Sequence, residues 1–130
     1  MKKKIGFPKP KKVKKSTLKN KADKLFSAFI RSKGVCEASD CGTNVRCGGQ
    51  LQCAHLISRW NLRLRWDKAN ALCICAGHHR FFTTRPLEWA EFLRENYSSQ
   101  YAYVMAHKNE ISKISFEEVI ERLEKLVPLL

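Results

Sequence analysis

Two pairs of potential metal ligands stand about 35 residues apart in the middle of the chain. Cys36 and Cys41 form a C-x4-C pair, and Cys75 and His78 form a C-x2-H pair. Zinc in structural sites is held tetrahedrally by four thiolate or imidazole ligands, often supplied as two close pairs. The spacing therefore predicts a structural Zn²⁺ site made by these four residues, which would add folding free energy to a small core.

Three further cysteines leave alternatives open within this ligand set. Cys47 is close enough in sequence to replace Cys41. Cys73 precedes Cys75 by two residues, so it would share the same face of a strand and compete for the metal. Cys53 stands in an apolar segment and is predicted to be a buried small hydrophobic residue.

A second set of residues carries a recognisable pattern. His55 lies in CAHLISR, Asn70 in DKANALCIC and His79 in AGHHRFF, with His79 nine residues after Asn70. Together with the two zinc pairs, these motifs resemble the HNH endonucleases of the ββα-metal fold, over about residues 35–95. The variant seen here is most similar to small phage-encoded HNH proteins of the NinG type.

The resemblance implies a metal-dependent endonuclease that hydrolyses DNA phosphodiester bonds in phage recombination, processing or packaging. His55 matches the general base that activates water, and an imidazole with a pKa near 6.5 suits that role. His79 matches a ligand of a catalytic divalent cation such as Mg²⁺ or Mn²⁺. Asn70 matches the residue whose side chain ties down the loop between the strands and so holds His55 in position.

One position departs from the family pattern. Many HNH proteins carry an acidic metal ligand immediately before the base, and here that residue is Ala54. The catalytic ion would then bind weakly, or the site would be inactive. Asp67 is a candidate substitute ligand and equally a candidate turn residue. The alternative function is therefore a non-catalytic, zinc-stabilised nucleic-acid-binding protein.

Basic and aromatic residues between the two histidines suggest contacts to nucleic acid. Guanidinium groups bind phosphate well, so the three arginines of residues 58–69 are predicted DNA contacts: Arg59, Arg63 and Arg65. Trp60 and Trp66 could stack on bases, although core packing is the favoured prediction for Trp66. A solvated basic loop is the simpler alternative.

These residues need two strands and a helix to position them. Residues 50–57 and 70–75 are predicted to be strands, and a short helix is predicted from near Ala76. Further helices are predicted on both sides of this unit: from Ser16, as N-cap, to about Arg31, from Pro86, over 101–107, and from a Ser115–Glu118 capping box onward. The predicted fold class is α+β, with a ββα-metal core and a zinc knuckle flanked by helices.

Composition sets the limits of this interpretation. The 130 residues carry a formal charge of +13, and residues 1–15 alone hold eight lysines and no acid. Such a lysine run attracts polyanions, so DNA is the predicted partner, and a larger phage DNA-processing complex is a further candidate. No apolar run reaches the length of a membrane span, which favours a cytoplasmic protein whose cysteines bind metal rather than form disulfides. The predicted division is a disordered basic arm (1–15), an N-terminal helix (16–34), the nuclease core (35–95) and a C-terminal helical extension (96–130).

Overall fold

The computed structural model describes residues 12–127, and most of the basic arm lies outside this range. The described chain is mixed α and β, with a two-stranded antiparallel sheet and six α-helices. The strands are β1 (Leu51–His55) and β2 (Ala71–Cys75). The helices are α1 (Lys15–Arg31), α2 (Leu62–Arg65), α3 (Ala76–Thr83), α4 (Pro86–Asn96), α5 (Ser98–His107) and α6 (Phe116–Leu126). No helix within 12–127 is long and apolar enough to cross a membrane.

The two strands pair along their whole length, with Leu51 opposite Cys75 and His55 opposite Ala71. Because side chains alternate across a strand, the sheet has two apolar faces. Cys73 and Ala71 pack against α1 and α6, whereas Leu72 and Ile74 pack against α3 and α4. The sheet is therefore the middle layer between two groups of helices, and α3 follows β2 directly.

Local sequence signals explain where most helices begin. Pro86 occupies the first turn of α4, and Ser115 Oγ accepts a hydrogen bond from Glu118 N at 3.3 Å to cap α6, so both predicted starts are confirmed. Ser16 is not the cap of α1. Lys14 is at the N-cap position, two residues earlier than predicted, and the helix begins at Lys15 without a side-chain cap.

The connection between the strands is more ordered than a simple loop. Asn61 Oδ1 accepts from Leu64 N at 3.3 Å and caps α2. Asp67 Oδ1 accepts from Ala69 N at 2.9 Å and caps a 3-10 turn over Lys68–Asn70. This connection therefore presents its side chains from defined positions, an order that the sequence interpretation did not predict.

Candidate metal centre and adjoining cleft

Four potential ligands converge where β2 meets α3. Cys36 comes from the loop after α1 and Cys47 from the turn before β1. Cys75 is the last residue of β2 and His78 lies in the first turn of α3. One sulfur or nitrogen atom from each lies within 4.8 Å of the other three. A tetrahedral zinc ion with bonds of about 2.0–2.3 Å spaces its ligands comparably, so this Cys3His cluster could hold a metal such as zinc.

Backbone amides donate hydrogen bonds to two of these sulfurs. Cys75 Sγ accepts hydrogen bonds from His78 N and Gly48 N, both at 3.4 Å, and Cys36 Sγ accepts from Cys75 N at 3.2 Å. Burial raises the pKa of the Cys75 thiol, but the hydrogen bonds from the His78 and Gly48 amides and from the side chains of His78 and Cys36 outweigh burial and lower it to about 6. A thiolate is the form that binds metal.

One ring nitrogen of His78 faces the sulfurs, and the other is buried. Its Nδ1 lies 3.1 Å from Cys75 Sγ and 3.7 Å from the sulfurs of Cys36 and Cys47. The ring is fully buried, and its Nε2 has no hydrogen-bond partner among residues 12–127. Such an unpaired buried group costs about 1–3 kcal/mol, and a metal bond at Nδ1 would offset that cost.

The structure places Cys47 in the cluster instead of the predicted Cys41, which is the alternative that the sequence left open. After the turns over 36–41, Cys41 packs on the side of the sheet that faces α3 and α4, and its Sγ lies 3.0 Å from Thr43 Oγ1. Gly49 returns the chain with φ +79°, and a Cβ there would stand 2.8 Å from Ala76 Cβ. This close approach brings the Cys47 turn against the start of α3.

The remaining two cysteines lie outside the cluster. Cys53 and Cys73 stand opposite each other in the sheet, and both pack towards α1 and α6. Burial raises the pKa of the Cys53 thiol to about 12. Cys53 is partly buried and also lines the cleft described below, so it packs as a hydrophobic residue but is less buried than predicted.

A cleft of about 830 Å³ runs along β1, between α1 on one side and α3 and α4 on the other. His55 and His79, predicted from distant segments, both line it. Its charged lining residues are Asp23 and Arg59. The structure therefore brings the two predicted catalytic histidines into one open cavity beside the Cys3His cluster.

His55 is oriented by the backbone of the strand connection. Its Nε2 donates to Arg65 O at 3.0 Å, which leaves Nδ1 as the nitrogen with a free lone pair. The ring packs 5.6 Å from that of Phe26. Burial lowers the pKa of His55, an effect that Arg59 strengthens and the Arg65 carbonyl and Asp23 oppose. The imidazole is thus favoured in the neutral form that can accept a proton.

His79 is oriented by a side chain of β1. Its Nδ1 donates to Gln52 Oε1 at 2.7 Å, so Nε2 is left to accept a proton or a metal bond. A second hydrogen bond of this kind is usual for metal-binding histidines. Burial lowers the pKa of His79 as well, which also favours the neutral, ligand-competent ring.

Asn70 is fully buried and does not line the cleft. Its Oδ1 accepts from Ile57 N at 2.8 Å, and its Nδ2 donates to Ile57 O at 3.0 Å and Leu64 O at 3.1 Å. These bonds tie both ends of the 57–64 segment to the start of β2. The geometry suits a tethering residue rather than one that touches substrate.

Of the three predicted DNA-binding arginines, Arg59 alone lines the cleft. Arg65 binds both carboxylate oxygens of Asp23, at 3.0 and 2.7 Å. Arg63 lies 3.3 Å from Asp67 and 3.7 Å from Glu110, in a separate groove. Internal carboxylates therefore already neutralise two of the three guanidinium groups.

Asp67 is not a substitute metal ligand in this arrangement. Its Oδ2 accepts from Tyr103 Oη at 2.8 Å, and it lines the groove that contains Arg63 instead of the cleft. Its role is to cap the 3-10 turn and pair with Arg63. The acidic residue that lines the cleft with His55 is Asp23.

Two residues of the site escaped the sequence interpretation. Asp23 also accepts from Trp66 Nε1 at 2.9 Å, so it joins α1 to the strand connection. Its signal was weak: a lone acid beside the apolar stripe of a basic helix. Gln52 had a clearer signal, because apart from His55 it is the one polar side chain in β1.

No family model, curated protein or solved structure matches this chain.

Proposed function

We propose that this protein is a metal-dependent endonuclease that hydrolyses DNA phosphodiester bonds with an HNH-type, ββα-metal site. The observation that carries the proposal is the placement of His55 and His79 in one cleft, each with one ring nitrogen tied down and the other free. The succession β1, β2 and α3 fits the order of elements in that fold. A zinc ion in the Cys3His cluster would fasten the start of α3 to the two loops that precede β1.

Each residue has a defined part in this reaction. A water molecule attacks phosphorus in line with the leaving oxygen, and His55 Nδ1 takes the water's proton. The bond between phosphorus and the leaving oxygen breaks, and that oxygen takes a proton from solvent. Arg59, which has no ion pair within 12–127, binds a phosphate oxygen. His79 Nε2 would hold the divalent cation, whose charge stabilises the developing charge on phosphate when it is bound.

One feature favours the non-catalytic alternative. Ala54 is 3% exposed and offers no ligand, and Asp23 already binds Arg65 and Trp66. His79 is then the main protein ligand for the cation, so phosphate and water must complete its shell. We expect weak metal affinity, and activity that depends on millimolar rather than trace metal.

Cleavage of supercoiled plasmid with added Mg²⁺, Mn²⁺, Ni²⁺ or Zn²⁺ tests the proposal. We expect wild-type protein to cut, and His55→Ala to lose about 10²- to 10⁴-fold in rate because the base is missing. The zinc content and DNA affinity of the variant should remain, since His55 lies outside the Cys3His cluster. His107→Ala is the matched control, because that imidazole pairs with Glu110 away from the cleft.

Two results would reject parts of this proposal. Zinc-loaded wild type that cuts no DNA with any of these ions would favour the non-catalytic nucleic-acid-binding protein. A His55→Ala variant that cuts at the wild-type rate would remove His55 from the mechanism.

A further inference from the structure

The side chain of Trp60 is exposed to solvent next to residues that line the cleft. The residue is 92% exposed, whereas Trp66 is 2% exposed with its indole N–H bonded to Asp23. A tryptophan carries a large apolar surface that proteins ordinarily bury, at least in part. Single exposed apolar residues are common, so exposure alone does not identify a site. The surroundings of Trp60 provide the further evidence.

The segment that carries Trp60 is fixed on both sides. Asn61 caps α2 and also donates from Nδ2 to Lys108 O at 2.7 Å. On the other side, Arg65 Nη1 donates to Arg59 O at 3.2 Å, and Trp60 N donates to Ser58 Oγ at 3.3 Å. The backbone that carries the indole is therefore already ordered. Binding a ligand at Trp60 costs little conformational entropy of the protein chain.

The neighbours of Trp60 connect it to the cleft. Ser58 and Arg59 line the cavity that contains His55 and His79. Arg59 supplies a cation and Trp60, the next residue, supplies an aromatic face. A nucleotide presents the complementary pair of groups, a phosphate and a flat base joined through one sugar. A cationic groove combined with an aromatic platform is how proteins bind single strands without reading sequence.

We propose that Trp60 stacks on an unpaired nucleobase adjoining the phosphate that the cleft binds, so that single-stranded or locally unpaired DNA is the preferred ligand. This proposal rests on the proposed nuclease function for the identity of the cleft. In an intact duplex both faces of a base are covered by its neighbours, and only an unpaired base offers its face to the indole. Trp60 is thus a specificity residue that contacts substrate outside the reacting atoms.

Binding without cleavage tests this proposal separately from the nuclease proposal. A fluorescein-labelled oligonucleotide and the duplex of the same sequence are titrated with the full chain, in buffer without added divalent metal. We expect wild type to prefer the single strand and Trp60→Ala to weaken single-strand binding roughly 5- to 150-fold, the range for loss of one stacked base. Duplex affinity should change by less than about twofold. Trp60→Phe should retain much of the preference, because phenylalanine keeps an aromatic face.

Ile111→Ala is the control for loss of exposed apolar surface, since Ile111 is fully exposed and does not line the cleft. Its affinity for both DNAs should equal that of wild type. The stacking proposal would be overturned if Trp60→Ala weakened the affinity for single strand and duplex equally, or if it weakened neither. Wild type that shows the Trp60-dependent preference but never cuts would support stacking and reject the nuclease. Wild type that binds neither DNA would reject both.

Discussion

His78 and His79 are adjacent in sequence yet belong to two different regions of the molecule. His78 is fully buried, with Nδ1 against three sulfurs. His79, about 100° further round α3, lies in the open cleft with Nδ1 bonded to Gln52. The first region has no lone pair left for a substrate, whereas the second has one on His79 and another on His55.

This difference separates a closed site from an open one. A metal bound by four protein ligands has no position for substrate and serves the fold, while a metal with few protein ligands keeps positions for water and phosphate. The four ligands of the Cys3His cluster come from three segments of the chain, so we expect loss of the cluster to destabilise the fold. The cleft is an open cavity whose histidines cross-link no segments through a metal, so we expect the loss of either histidine to reduce activity rather than stability.

The largest expected effect is on the closed site. Cys75→Ser should lose zinc and much of the fold's stability, because apparent zinc-binding free energies of about 10–16 kcal/mol in zinc-finger peptides exceed or match the stability of a typical domain. Cys41→Ser should keep its zinc, since Cys41 is bonded to Thr43 outside the cluster. Metal content after dialysis and thermal unfolding would compare the two variants. Zinc loss from Cys41→Ser, or full retention by Cys75→Ser, would overturn the ligand assignment.

The neighbouring histidines should separate the two regions directly. His79→Ala should slow cleavage by at least about 10²-fold, since metal stabilisation is worth several kcal/mol, while the zinc content stays at one per chain. Raising the Mn²⁺ concentration should restore part of the rate, because phosphate and water can still hold the cation. His78→Ala should instead lose zinc and stability. Zinc loss from His79→Ala would mean that the two sites are not independent.

The sequence predicted the strands and helices that carry the two sites better than it predicted the contacts between side chains from distant segments. Strand and helix patterns placed His55 on β1 and His79 on α3, since both depend on local periodicity. The choice of Cys47 over Cys41 depends on a glycine turn that packs against α3, a contact between distant segments. The pairing of Arg65 with Asp23 likewise spans 42 residues, so a count of charges between the strands overstated the arginines free to bind DNA.

Asp23 supplies a finer test of the open site, because it acts on His55 in two ways. It holds the guanidinium of Arg65, whose carbonyl accepts from His55 Nε2. Its negative charge also raises the pKa of His55 against the lowering effects of burial, Arg59 and Arg65. A purely structural contact would have the first effect without the second.

The smallest expected effect is therefore a shift in pH dependence. The rate of wild-type cleavage should be independent of pH near pH 7. It should fall as the pH falls through the pKa of His55, because the protonated ring cannot take a proton from water. Burial places this pKa below its ordinary value of about 6.5. Asp23→Asn should reduce the rate roughly tenfold through looser positioning. It should also move the acidic limb to lower pH, since the charge that favours the imidazolium is removed. Asp40→Asn, at an exposed position, controls for the change in net charge and should leave the limb in place. If Asp23→Asn cuts more slowly but its rate falls at the same pH as that of wild type, Asp23 has only a structural role. If the rate falls at a higher pH than that of wild type, the titrating group is not His55.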